Sequence, residues 1–300
     1  ATWVPRKRDR IIKKVKTRYW MRTHKYGILL PKSVTEALRV DKEMGTDFWT
    51  KAIAKEMKAI DHAFEFQDDD KMPVGYQKID CHMVFDVKIT LERKARYVAG
   101  GHQTEPTKDM MFASVVSRDS IRIAFLVAAL NDLEILSADV AGAYLNANAK
   151  EKVYTIAGKE FGPDKAGWPV IITRALYGLR SSGKAWRDHM AATLRDFGYS
   201  SGKADPDVWM RPKTKPDGFQ YWSYILVYTD DLLVVDHEPK VVMDYMASRY
   251  TLKPGSVKEP ETYLGTQVTK FRIDGADDLD KPHWAVSSEK YIEQATADVE

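Results

Sequence analysis

The spacing of apolar residues changes along the chain, and each change predicts an element. Ser33-Val34-Thr35-Glu36 has capping-box spacing before Ala37-Leu38-Arg39-Val40, a short helix that Gly45 closes. Thr46 or Asp47 then caps a second helix, with Trp49, Ile53, Met57 and Ile60 at helical intervals. Alternation of period two follows over residues 82–90 and again over Ala95–Ala99, where Gly100-Gly101 ends it. Asp119 or Ser120 is the expected cap of an apolar helix from Ile121 to Leu130. A strand from Leu133 to Ala138 ends at Asp139, a short turn or helix lies around Gly142–Leu145, and residues 152–156 and 170–172 read as strands. Ser181 or Ser182 opens an amphipathic helix carrying Trp186, Met190, Leu194 and Phe197 on one face, stopped by Gly198. Residues 207–211 form a strand, and the apolar runs 221–227 and 232–235 form a hairpin about Tyr228-Thr229-Asp230-Asp231. Pro239 starts a helix to about Tyr250, Thr262–Phe271 reads as one strand, Asp274-Gly275 as a turn and Ser288–Asp298 as a last helix. Helices, an antiparallel hairpin and isolated strands without regular βαβ alternation predict an α+β fold.

Composition narrows the class. With 300 residues and 44% hydrophobic, the chain is long enough for one large domain or two modest ones. Its apolar runs break too soon to span a bilayer, and no signal-peptide pattern opens it, so no membrane partner is expected. Cys81 is the only cysteine, which excludes an internal disulfide and suggests a reducing compartment or indifference to redox. Net charge is +3, but residues 1–25 hold ten Lys or Arg against Asp9, which makes that segment +9 and the remainder −6. Such an arm suits a nucleic-acid tether, and equally a solvated leader.

Three acids at strand ends carry the candidate chemistry. Asp230 and Asp231 sit at a hairpin tip between rigid apolar strands, and Asp139 ends another strand. Carboxylates held on strand ends suit paired divalent ions acting on phosphates. Asp-Asp is also ordinary turn chemistry, so the doublet by itself leaves a metal site and a solvated turn both open. Asp68-Asp69-Asp70 is read as a solvated turn, because no apolar strand presents it. Lys94 and Arg96, two apart on a strand, share a face that suits a triphosphate or plain solvation.

Longer blocks resemble one family. Leu176-Tyr177-Gly178-Leu179-Arg180 followed by Ala185-Trp186 resembles the signature of copia-type LTR-retrotransposon reverse transcriptases. Trp49, Ala52 and Glu56, then Lys94–Ala99, then Ala138-Asp139-Val140 with Ala143–Asn146, and finally Tyr263-Leu264-Gly265, match further blocks in the family's order. Thr229 stands where many relatives have an apolar residue, Gly100 where many have a basic one, and Ser181 and Gly183 where Gln and Pro are frequent.

The resemblance implies a right-hand polymerase with an antiparallel palm sheet, fingers and a partial thumb. It divides the chain into a basic N-terminal arm (1–28), mainly fingers with the start of the palm (29–134), mainly palm with a fingers insertion near 145–180 (135–272), and a truncated start of the thumb (273–300). It implies RNA- and DNA-directed DNA synthesis from dNTPs with two Mg²⁺ ions, for which Mn²⁺ substitutes. By match, Asp139, Asp230 and Asp231 are catalytic and hold the metals, with the Val140 carbonyl as a further ligand. Lys94, Arg96, Tyr144, Tyr177 and Gly178 bind the nucleotide, Tyr144 as a ring that leaves no room for a 2′-hydroxyl. Leu264 and Gly265 lie near the primer terminus. The partners are an RNA template, a DNA primer–template duplex and dNTPs, and the expected location is the cytoplasm, in virus-like particles. One cysteine excludes the family's His-His-Cys-Cys integrase site. The first residue is Ala, and the chain ends too soon after the last block for a complete RNase H, so RNase H and integrase are expected on other segments of a longer polyprotein. Two rivals keep the fold: a domesticated, inactive nucleic-acid-binding relic, and a palm-fold nucleotide cyclase.

Overall fold

A computed structural model of the chain describes residues 23–67, 74–88, 90–105, 113–271, 283–289 and 292–293. The α+β class is as expected, with five α-helices and several separate sheets among these residues. In chain order the strands are β1 (His24–Lys25), β2 (Ile28–Leu29), β3 (Phe64–Phe66), β4 (Gln77–Lys78), β5 (Cys81–Val87), β6 (Arg93–Ala99), β7 (Glu134–Asp139), β8 (Val153–Ile156) and β9 (Pro169–Ile172). They continue with β10 (Ser200–Ser201), β11 (Val208–Thr214), β12 (Gln220–Tyr228), β13 (Asp231–Asp236), β14 (Thr262–Tyr263), β15 (Thr266–Phe271) and β16 (His283–Ser287). The helices are α1 (Val34–Met44), α2 (Phe48–Ile60), α3 (Arg118–Leu130), α4 (Ser182–Asp196) and α5 (Pro239–Arg249). The chain divides into two compact units, one of residues 1–107 and 148–182, the other of residues 108–147 and 183–300.

In the first unit, α1 begins and ends where its sequence says. Ser33 Oγ accepts from the Glu36 N–H at 3.1 Å, and Gly45 takes the left-handed conformation at the C-cap. The cap of α2 is a surprise. Asp47 makes no side-chain capping bond, and the buried Asp41 of α1 accepts instead from the backbone N–H groups of Trp49 and Thr50 and from the hydroxyls of Thr46 and Thr50. Burial pushes the Asp41 carboxyl up, but these four bonds outweigh it and hold it below its usual value. Strands β5 and β6 form an antiparallel ribbon in which Val84 pairs with Arg96 and Asp86 with Lys94. Glu56 of α2 accepts from the Tyr97 N–H at 3.1 Å and so ties helix to ribbon. A second sheet has the order β3-β9-β8-β4.

The second unit is built on a five-stranded antiparallel sheet of order β10-β11-β12-β13-β7. Helices α4 and α5 cover one face through Trp186, Met190, Leu194, Val242, Met243 and Met246, which meet Ile225, Val227, Leu232 and Val234. Helix α3 covers the other through Ile121, Ala124, Phe125 and Ala128, which meet Leu226, Leu233 and Val235. Both faces of β13 are therefore apolar, which explains why Leu232–Val235 is an unbroken hydrophobic run rather than an alternating one. The outer edge of β7 is covered by the loop after α5, where Val140 bridges Leu252 and Ser137 bridges Lys258.

Four expectations need correction. Ser117, not Asp119 or Ser120, caps α3, because its extended backbone lets Oγ accept from the Ser120 N–H, and Asp119 falls inside the first turn. The strand expected over 82–90 stops at Val87, where a turn with Leu91 at φ 62° reverses the chain. The strand expected over 262–271 is broken at Leu264-Gly265, both at positive φ, into a hairpin. Part of the basic arm is structured, because β1 and β2 pair about Tyr26-Gly27. The rest of the arm, the Asp68–Asp70 turn, the Asp274-Gly275 turn and most of the last helix lie outside the described residues.

Candidate active site

The doublet sits on a two-residue hairpin turn. Tyr228 pairs with Asp231, which leaves Thr229 and Asp230 as the turn, with Thr229 at φ 57°. A β-branched residue rarely holds that backbone conformation, so something must enforce it. Two donors from outside the hairpin do so. Trp186 Nε1 donates to the Thr229 carbonyl at 2.7 Å, and the Val140 N–H donates to the Asp230 carbonyl at 2.8 Å. Both carbonyls of the turn are therefore held, one from α4 and one from the end of β7.

Register brings the third acid in. β13 pairs antiparallel with β7, and Asp231 stands directly opposite Asp139. Like charges at directly opposed positions destabilise a sheet. The electrostatics agree: burial first, then the charges of Asp230 and Asp139, push the Asp231 carboxyl up to about 6, with Lys253 pulling the other way. Asp230, at the turn, and Asp231, on the strand, are thus not equivalent, as the alternation of strand side chains required.

Lys253 is the residue that motif reading missed. Its N–H donates to the Asp139 carbonyl at 2.8 Å, its Nζ bonds Asp139 Oδ2, and the same ammonium lies 3.8 Å from Asp230 Oδ2. Ser256 Oγ accepts from the Asp139 N–H. The loop that covers the edge of β7 therefore also delivers a cation to the acids. Nothing local in Thr251-Leu252-Lys253-Pro254 signals this, since the contact spans 114 positions.

The residues suit a hard cation. Asp139 Oδ1 is buried and has no hydrogen-bond partner among the described residues, although a buried carboxylate oxygen normally has one. The donors are all oxygen, the preference of Mg²⁺ or Mn²⁺. Among the described residues no three Asp, Glu, His or Cys side chains converge as they stand, because the Lys253 ammonium lies among the acids in the place such a cation would take.

The other residues singled out from sequence fall in three places. Tyr144 stands in the second unit beside the doublet, half-buried, and lines a small cavity of about 100 Å³ with Gly183, Trp186 and Thr229. Burial and then the Asp230 charge raise its hydroxyl. Leu264 and Gly265 form the turn between β14 and β15 in the same unit. Lys94, Arg96, Tyr177 and Gly178 belong to the first unit. There the Arg96 guanidinium lies 5.5 Å from the centre of the Tyr177 ring, and Lys94 and Arg96 do share a face of the ribbon. Gly178 has a structural reason to be glycine: at φ 93°, a Cβ would come within 2.1 Å of the Ala99 carbonyl oxygen. At Gly100 a Cβ would meet the Asp80 carbonyl oxygen at 2.6 Å, so this backbone has no room for the basic residue found there in relatives.

An antiparallel sheet with opposed carboxylates, an acidic hairpin tip and oxygen-only donors defines a divalent-metal site of the kind that serves phosphoryl chemistry. The family model described as reverse transcriptase (RNA-dependent DNA polymerase) matches residues 67–276, and the chain belongs to that family. It is similar to the retrovirus-related Pol polyproteins from transposons RE1 and RE2 of Arabidopsis thaliana, 26% and 25% identical over 80% and 74% of this chain. It is similar also to the retrovirus-related Pol polyprotein from transposon TNT 1-94 of Nicotiana tabacum, 24% identical over 81% of this chain. Within the family it is a copia-type segment. The matches span 16%, 15% and 18% of those longer proteins. Reverse transcriptases use divalent metal ions, a nucleic-acid template and primer, and dNTPs; no helix among the described residues is long and apolar enough to cross a membrane.

Proposed function

We propose that this segment is itself a working right-hand DNA polymerase, which extends a primer 3′-hydroxyl with dNTPs on RNA or DNA templates by a two-metal mechanism. The observation that carries this reading is the opposition of Asp139 and Asp231 across β7 and β13, with Asp230 on the adjoining turn. That arrangement lowers the stability of the sheet and has no structural return, so it makes sense as chemistry. Two bound Mg²⁺ ions, or Mn²⁺ in their place, would make the primer hydroxyl more acidic and neutralise the departing pyrophosphate.

The chain's own groups do the rest. Asp139 and Asp230 hold the metals, the Val140 carbonyl assists, and Asp231 supports them from the strand. Lys253 balances two carboxylates before loading, and its flexible stem lets the ammonium withdraw once a stronger cation arrives. The Tyr144 ring excludes a 2′-hydroxyl. Trp186 and Val140 keep the turn from relaxing, which preserves the alignment on which an in-line reaction depends. Lys94, Arg96, Tyr177 and Gly178 for the nucleotide, and Leu264 and Gly265 for the primer end, are assigned from sequence resemblance.

Primer extension on an RNA template tests the reading. Wild type incorporates dNTPs with Mg²⁺, and Asp230→Asn lowers the rate by about a thousandfold or more while the fold is retained. The competing reading is an inactive nucleic-acid-binding relic, in which the Lys253 ammonium never leaves the acids. It prevails if wild type binds duplex yet extends no primer with either Mg²⁺ or Mn²⁺.

A further inference from the structure

Beside the doublet, within the second unit, lies an open cavity of about 520 Å³ whose lining the chemistry above does not use. The start of α3 contributes Val116, Arg118, Ile121 and Arg122, and the β14–β15 hairpin contributes Tyr263 and Leu264. Tyr228, two positions before Asp230, also lines it, so the cavity adjoins the catalytic turn.

Three of these residues are not explained by packing. Arg118 makes no ion pair among the described residues, and Arg122 meets Asp119 at 3.6 Å with both side chains largely exposed, a pair worth little. Tyr263 is 5% exposed, and its buried hydroxyl has no hydrogen-bond partner among the described residues. Buried hydroxyls left without a partner are uncommon and costly. At the rim, Leu264 holds φ 48° with an exposed apolar side chain, a conformation a leucine adopts under constraint.

We infer that this cavity seats the sugar–phosphate backbone of a nucleic-acid strand passing the doublet, with its phosphates on Arg118 and Arg122 and a polar atom of the strand on the Tyr263 hydroxyl. Arginine suits the task, being permanently charged and presenting a fork of donors that matches phosphate oxygens. The N-terminus of α3, a 13-residue helix, adds the positive end of its dipole on the same side. Tyr228 and Leu264 offer exposed apolar surface against which a sugar or base packs. The inference rests on the polymerase reading for its ligand, a primer–template, and not for the reaction. A free triphosphate shares the anionic chemistry, so the test separates the two.

The test uses the full chain and measures primer–template affinity across a salt series, with the KM for dNTP measured separately. Arg118→Gln and Arg122→Gln each weaken duplex affinity roughly three- to tenfold and lower the slope of log K against log salt by about one, with the dNTP KM unchanged. Both arginines are exposed, so the variants fold. Tyr263→Phe separates a ligand contact from a leftover: it raises the melting temperature of the free protein and weakens duplex binding. Unchanged duplex affinity and salt slope in the Arg118→Gln/Arg122→Gln double variant overturn the inference, as does a raised dNTP KM at constant duplex affinity, which would give the anion site to the triphosphate. Tyr263→Phe with unaltered duplex affinity removes that residue's part. If the arginine variants weaken duplex binding but wild type extends nothing, the polymerase reading fails and the strand site stands.

Discussion

Two hairpin turns in the second unit have the same length and opposite support. Thr229-Asp230 and Leu264-Gly265 are both two-residue turns, and both begin with a non-glycine residue at positive φ, 57° and 48°. Each such residue stores on the order of 1–3 kcal/mol of strain. The first turn is held at both carbonyls by groups far away in sequence, Trp186 and Val140. The second gains ease from Gly265, at φ 77°, and among the described residues no bond from outside its hairpin reaches it. The contrast separates two uses of strain. A turn that carries metal ligands is braced, because a small displacement of a carboxylate spoils the reaction. A turn that offers a leucine to a passing strand is left to adapt.

Removing the brace is expected to have the largest effect. Trp186→Phe keeps the ring in the core but deletes the donor to Thr229, so stability falls by about 1–2 kcal/mol and kcat for extension falls on the order of 10–100-fold, with the dNTP KM little changed. Steady-state extension and thermal melting read the two effects. A kcat equal to wild type would show that the turn holds itself and would break the comparison.

Next comes the opposed pair. The Asp231 carboxyl titrates near 6 in the folded protein, above its value in an unfolded chain, so the folded state holds that proton more tightly. Its charge therefore lowers stability above about pH 6, and the loss disappears as pH falls toward 4. Asp231→Asn raises the melting temperature of the metal-free protein at pH 7.5, the gain shrinks by pH 5, and extension is lost. Mg²⁺ also stabilises wild type more at pH 7.5 than at pH 5.5, as differential scanning fluorimetry would show. A gain from Asp231→Asn that is equal at both pH values would mean that charge repulsion is not its source.

The smallest effect is expected at the unbraced turn. Leu264→Asn replaces a strained residue with one that tolerates the left-handed region, and raises stability by about 1 kcal/mol, a few degrees in Tm. Primer–template affinity falls at the same time. Stabilisation with full affinity would show that the leucine is not kept for the strand.

Local patterns made much of this molecule legible. Ser33 and Gly45 bound α1, Pro239 opens α5, Gly198 follows α4, and the apolar runs about the doublet form the hairpin, because each signal is a backbone preference of a few neighbouring residues. The same reasoning failed where a distant group took over a local task. Asp41 caps α2 from another helix, so the legible cap Asp47 makes no capping bond. Ser117 caps α3 although Asp119 and Ser120 carry equally suitable side chains, because only the backbone conformation decides among them. Leu264 broke an expected strand because its hairpin is imposed on it against its own preference.

What the sequence by itself determined is therefore the class of fold, the acidic hairpin tip, and enough ordered blocks to mark a copia-type reverse transcriptase. Only the tertiary structure decided that Asp139 stands opposite Asp231, that Trp186 holds the Thr229 carbonyl, and that Lys253 lies across Asp139 and Asp230. The reason is physical. Caps, turns and amphipathic faces are set by side-chain and backbone chemistry within a few residues, whereas register and ion pairing depend on which strands meet. The pairing of β7 with β13 buries both chains' apolar faces, and the carboxylates are carried together by that burial despite their repulsion.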